Sequence, residues 1–245
     1  MIAQTAESIA PLLLSAEERV RARALLDEFQ KNHPRYANLE LLKSYPDEDY
    51  MLAAKACRLF DVEVVLYEPI DTLHGVTEGS CVFLSGYKRG ASGHRPLWTA
   101  GHEASHVLGL RRRAEHAELV SYIMRDCVLP DAFDRRSTIE EMAQGYLRIT
   151  HREPVPEGWG DVVNEEIIAD IAGNFWQDPA FWTGIHERDG NIARRALYTE
   201  IIGKLKSEPL RPYRSWMLDA SAAREKFVEY MLLCLAPEVE PAQSC

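Results

Sequence analysis

The segment RPLWTAGHEASHVLGLRRR, residues 95–113, constrains this chain more than any other stretch. Two histidines, His102 and His106, stand four apart, and Glu103 directly follows the first. Pro96 suits a first helical turn, and the apolar spacing predicts a helix over about 97–110. Residues four apart on a helix share a face, so both imidazoles can address one ion. Zinc accepts such nitrogens at roughly 2.0–2.1 Å and in catalytic sites keeps one position open for water. Glu103 would border that ion without binding it, placed to take a proton from the water. The same pattern also suits a plain amphipathic helix with a half-buried histidine pair, so a further ligand has to decide.

The longer pattern HExxHxxGxxH begins well, with Gly109 in place, but its last slot holds Arg112, and a guanidinium does not ligate zinc. His116 could reach back, although it lies outside that spacing. The stretch VNEEIIADIAGNFW offers a better partner. Glu166 and Asp170 are four apart on a predicted helix over 162–176, so one carboxylate can ligate while the other holds a ligand histidine by its second nitrogen. Glu165 points about 100° away and has Ala169 as its partner four residues on. Acids near a helix start also suit the macrodipole, which accounts for Glu165 and Glu166 but not for Asp170 among Ile167, Ile168, Ala169, Ile171 and Ala172.

Elsewhere, Ser15-x-x-Glu18 reads as a capping box opening a helix over 15–31, with Val20, Ala24, Leu25 and Phe29 at helical spacing. A second helix is expected over 47–60. The β-branched run VEVVLYE, 62–68, reads as a strand, and GVTEGSCVFLSG as a glycine-bounded turn leading into a strand CVFLS. Polar loops are expected at 88–95 and 151–161, and the chain beyond Pro179 is expected to be helical up to a frayed tail. The fold class expected is α+β, a small mixed sheet packed on the helix that bears HEASH, with a mainly helical remainder.

The net charge of −10 argues against a dedicated nucleic-acid binder. Five scattered cysteines, with no CxxC pair, fit free thiols in a reducing compartment. No signal-peptide pattern and no run long enough to span a bilayer is evident, so a cytoplasmic protein with no membrane partner is expected. Secretion by a route that uses no such signal stays open.

With these residues in view, the chain resembles the ImmA/IrrE-type metallopeptidases, a gluzincin-like family. The likeness rests on Arg95, Trp98-Thr99, Ala100-Gly101, HEASH and VLGL, then on Glu166, Ala169, Asp170 and Pro179, and covers about residues 50–180. It implies a zincin-like fold, with a segment before residue 50, a core over 51–180 and a helical segment over 181–245. A longer interval between the two motif blocks implies an inserted helical lid or recognition element at about 111–161. The resemblance further implies one Zn2+ held by His102, His106 and Glu166, Glu103 as general base and Asp170 as support. It points to cleavage of a protein substrate such as a transcriptional repressor or another regulatory protein. A catalytically silent binding protein and an effector protease with a host target are the rival readings. The strand Cys81, Val82, Phe83, Leu84 and Ser85 is expected either as the edge on which substrate lies extended or as a plain core strand. Tyr198, His186 and Tyr213 are open choices for a transition-state donor. Arg111, Arg112 and Arg113 are open between steering an acidic substrate and complementing a helix end, and Trp176 and Trp182 between lining a cleft and packing the core.

Overall fold

The structure is a computed structural model, and its description covers residues 12–69, 74–87, 95–128, 159–208 and 218–236. All but Arg95 of the expected loop at 88–95, nearly all of the loop at 151–161, most of the 111–161 insertion, Tyr213 and the C-terminal tail therefore lie outside the described residues.

A short pairing of β1 (Leu12–Leu13) with β2 (Ser44–Tyr45) brackets helix α1 (Ala16–Asn32). Ser15 caps α1 with the full reciprocal box: its Oγ accepts from the Glu18 backbone N–H, and the Glu18 carboxylate accepts from the Ser15 N–H. The buried face is Ala22, Leu26 and Phe29, whereas Val20 is exposed. Of the four residues expected at helical spacing, Phe29 is buried and Leu25 packs beside it, whereas Val20 and Ala24 face outward and Ala22 and Leu26 take the inward places.

Helix α2 (Glu48–Leu59) starts at Asp47, whose carboxylate accepts from two first-turn N–H groups, and stops at Phe60. Asp61 then takes a left-handed φ of 54°, which ends the helix and turns the chain into β3 (Glu63–Tyr67). Next come β4 (Gly75–Glu78) and β5 (Cys81–Ser85), joined through Gly79 and Ser80. The sheet order is β3-β5-β4, with β3 parallel and β4 antiparallel to β5.

This order corrects one expectation. CVFLS is the middle strand, paired on both sides and buried at all five residues. Cys81, Val82, Phe83, Leu84 and Ser85 have no free edge to offer an extended substrate. The outer strands are β3, whose far side is bonded by residues 40–42, and β4, expected as part of a turn, which has no strand partner on its far side among the described residues.

Helix α3 (Pro96–Arg111) lies against α2, β4 and β5, and packs most extensively on a later helix, α5 (Trp159–Trp176). Between them come α4 (Arg113–Tyr122) and a π-turn, Ile123–Cys127. The residues Trp159, Gly160 and Asp161, expected in a loop, form the first turn of α5. Helices α6 (Pro179–Arg188), α7 (Arg195–Ser207) and α8 (Ala220–Leu235) complete the described chain.

Two apolar cores sandwich the sheet. Val65, Tyr67, Cys81 and Phe83 face α1, while Leu66, Val82 and Leu84 face a larger core that includes α2, α3 and α5–α8. Trp176 and Trp182 are fully buried there, with the Trp182 indole N–H donating to the Trp176 carbonyl, so both serve packing. Arg111 donates to the carbonyls of Phe60 and Asp61, and Arg112 to that of Ala236. These two arginines complement the carbonyl ends of α2 and α8. Cys57, Cys81, Cys127 and Cys234 are free thiols. No helix among the described residues is long and apolar enough to cross a membrane.

Candidate metal centre

Helix α3 enters with Pro96 in its first turn and presents Trp98, His102 and His106 along the flank where α5 crosses. Helix α5 answers with Glu166, Asp170 and Asn174, again at four-residue steps. The crossing is close because Gly101 lacks a side chain. A Cβ there would lie within 2.8 Å of Trp176, which fills the space between the helices. At the outer end the Trp98 indole N–H donates to Asn174 Oδ1 at 3.0 Å, and the Trp98 ring lies 5.2 Å from that of His102.

The carboxylate of Glu166 spans both imidazoles: Oε2 is 3.4 Å from His102 Nε2 and Oε1 is 3.7 Å from His106 Nε2. One donor atom from each of the three residues lies within 4.8 Å of the others. Such a His-His-Glu group could hold a metal ion. Donors bonded at 2.0–2.1 Å to one tetrahedral ion stand roughly 3.3 Å apart, close to the two separations seen. The donor set, two neutral nitrogens and one anionic oxygen, also suits a divalent cation of intermediate softness.

Asp170 is almost wholly buried, and its Oδ1 accepts from His102 Nδ1 at 3.1 Å. That bond assigns the Nδ1 proton and leaves Nε2 turned toward Glu166. Burial by itself disfavours a charged imidazole here. The hydrogen bonds to Asp170 and Glu166, with the nearby charge of Glu103, override it, and His102 is pushed up to about 10. Three carboxylates thus gather around two histidines, a surplus of negative charge that a dication would neutralise.

Glu103 lies on the sheet-facing side of α3. Its Oε2 accepts from Thr77 Oγ1 at 2.8 Å, and its backbone carbonyl lies 3.1 Å from the same hydroxyl. Sequence reasoning missed Thr77 because β4 was not read as a strand. The signal was present: Gly79-Ser80, with Gly79 at φ 58°, is a two-residue hairpin connection between GVTE and CVFLS.

The structure therefore brings His102, His106, Glu166 and Asp170 together, with Glu103 beside them. Tyr198 donates instead to Asp189 at 2.6 Å, and its ring lies tilted beside those of His186 and Trp182 in the helical core. His116 is buried against Tyr230 and Gly109, outside the His-His-Glu group.

Comparison with protein-family models, with curated proteins and with solved structures finds no match to this chain.

Proposed function

We propose that this chain is a zinc-dependent endopeptidase with a zincin-like core, of the kind its HEASH and ExxxD segments resemble. One observation carries the reading. A single carboxylate on α5 meets both imidazoles of α3 at 3.4 and 3.7 Å, while the glutamate between them is hydrogen-bonded to Thr77 on the outer strand β4. A structural histidine pair needs the first contact at most and has no use for the second.

His102, His106 and Glu166 would hold the ion. What zinc supplies in such a site is Lewis acidity, which polarises a carbonyl and lowers the pKa of water toward 7. The remaining work falls to the chain. Asp170 keeps the His102 ring in one orientation and one tautomer. Glu103 accepts a proton from the attacking water as the new C–O bond forms, which leaves the negative charge on the former carbonyl oxygen, and returns that proton to the amine as the C–N bond breaks.

Substrate is best accommodated as an added strand on β4. The Ser85 N–H donates to the His74 carbonyl, and hydrogen-bonded pairs alternate along an antiparallel ladder. The backbone groups of Gly75 and Thr77 therefore point away from β5, toward the outer side of the sheet, which carries no strand among the described residues. A peptide paired there would run beside α3, with backbone recognition setting affinity and little demand on sequence. A transcriptional repressor or another regulatory protein is the substrate class that the family likeness points to.

The test is Glu103→Gln. This variant should retain the metal of the wild-type protein and lose cleavage, read by comparing newly formed protein N-termini in source cells carrying either form. Equal sets of termini from both forms would remove the proposal.

A further inference from the structure

Strand β4 is fitted to Glu103 at two positions. Residues two apart in a strand face the same side, and Gly75 and Thr77 are such a pair. At Gly75 the strand comes so near that a Cβ would stand 2.6 Å from Thr99 Cγ2 and 3.0 Å from Glu103 Cγ and Oε1. At Thr77 the hydroxyl is 2.8 Å from Glu103 Oε2 and 3.1 Å from the Glu103 carbonyl. The hydroxyl has one proton for two acceptors, and an ionised carboxylate is the stronger. Glu103 has three rotatable side-chain bonds, and this contact favours the rotamer that faces β4.

Resting on the peptidase reading above, we propose that Thr77 is the positioning residue for the Glu103 carboxylate and sets its register against a substrate strand. The same residue does both because its parts point in different directions. The side chain reaches α3, while its backbone N–H and C=O face the outer side of the sheet. A peptide that hydrogen-bonds to Thr77 is thereby placed at a fixed offset from the oxygen that handles the proton. A freely turning glutamate would be in place for only part of the time, which lowers turnover without weakening substrate binding.

The experiment uses the full chain loaded with zinc, as wild type, Thr77→Val, Thr77→Ser and Glu103→Gln. Valine keeps the shape and removes the hydroxyl, and serine restores it. In crystal structures of the loaded proteins, Glu103 should hold one rotamer in the wild type and the serine variant, and leave it in the valine variant. On a library of internally quenched peptides, Thr77→Val should lose about ten- to a hundredfold in kcat with KM held within about twofold and the zinc stoichiometry unchanged. Thr77→Ser should recover most of that loss. Should the valine variant not fold, Thr77→Ala against Thr77→Ser gives the same comparison. Glu103 keeping its rotamer without the hydroxyl, or serine failing as badly as valine, would overturn the inference. The two readings separate cleanly: cleavage by Glu103→Gln overturns the general base itself, whereas an inactive Glu103→Gln beside a fully active Thr77→Val overturns Thr77 alone. The crystallographic comparison decides even when no peptide in the library is cleaved.

Discussion

Replacing Asp170 by Asn tests the centre through its proton balance. In the metal-free protein His102 is pushed up to about 10, so at pH 7 it carries a proton that an arriving cation must displace. The displacement costs about three decades of apparent affinity at pH 7, or about 4 kcal/mol. The sign follows directly. Each unit of falling pH below about 10 weakens metal binding about tenfold through this group alone, and each unit of rising pH strengthens it. For folding without metal the sense is opposite. A raised His102 stabilises the fold fully below its ordinary value of 6.5, and that support is lost as pH climbs through about 10. Asparagine can still accept from Nδ1 but carries no charge, so His102 holds its proton less tightly and the pH slope between 7 and 9 flattens. Affinity nonetheless falls, about 10- to 100-fold, because a dication gains more from the buried carboxylate than a proton does. Competition titrations against a coloured chelator from pH 6 to 9, with calorimetry in two buffers to count released protons, read both quantities. Wild-type slope and affinity in Asp170→Asn would refute the reasoning.

Other expectations follow from the same packing. In Gly101→Ala the added methyl meets Trp176, so stability should fall by about 1–3 kcal/mol despite alanine's better helix propensity, and metal affinity should fall although no ligand is touched. Urea unfolding and chelator titration check this; an unchanged pair of values would show that the crossing of α3 and α5 has slack. His116 is held down at about 4 by burial and by the neighbouring His106. Its stabilising effect is therefore full above pH 6.5 and is lost as pH falls toward 4, about 2–3 kcal/mol between pH 7.5 and 4.5. Urea midpoints at those two pH values should converge in His116→Gln, and an acid loss as large as in the wild type would assign it to other groups.

Much of this was legible in local spacing. A four-residue step on a helix puts two side chains on one face wherever the helix goes, so the pairs His102/His106 and Glu166/Asp170 were readable as pairs. The α1 cap was readable too, because Ser15 and Glu18 satisfy each other within one turn. The choice of Glu166 over Glu165 followed from the position of Asp170. What misled was any feature whose partner is distant. CVFLS is apolar on both faces and shows no alternation, so its own residues could not tell a middle strand from an edge. Val20 and Ala22 are equally plausible inward residues until β3 lies against α1. Arg111 and Arg112 look like a basic patch until the carbonyl ends of α2 and α8 arrive beside them.

The sequence by itself determined which chemistry the chain could hold: two imidazoles on one helix face, a glutamate between them, and a carboxylate pair on another. Tertiary structure alone decided that these faces meet, that Glu166 reaches both rings, and that β4 rather than β5 is the outer strand beside Glu103. The reason is physical. Backbone geometry repeats over a few residues and so can be read locally, whereas the gap between α3 and α5 is set by how Trp176 fills the space left at Gly101, a property of two segments that only packing brings together.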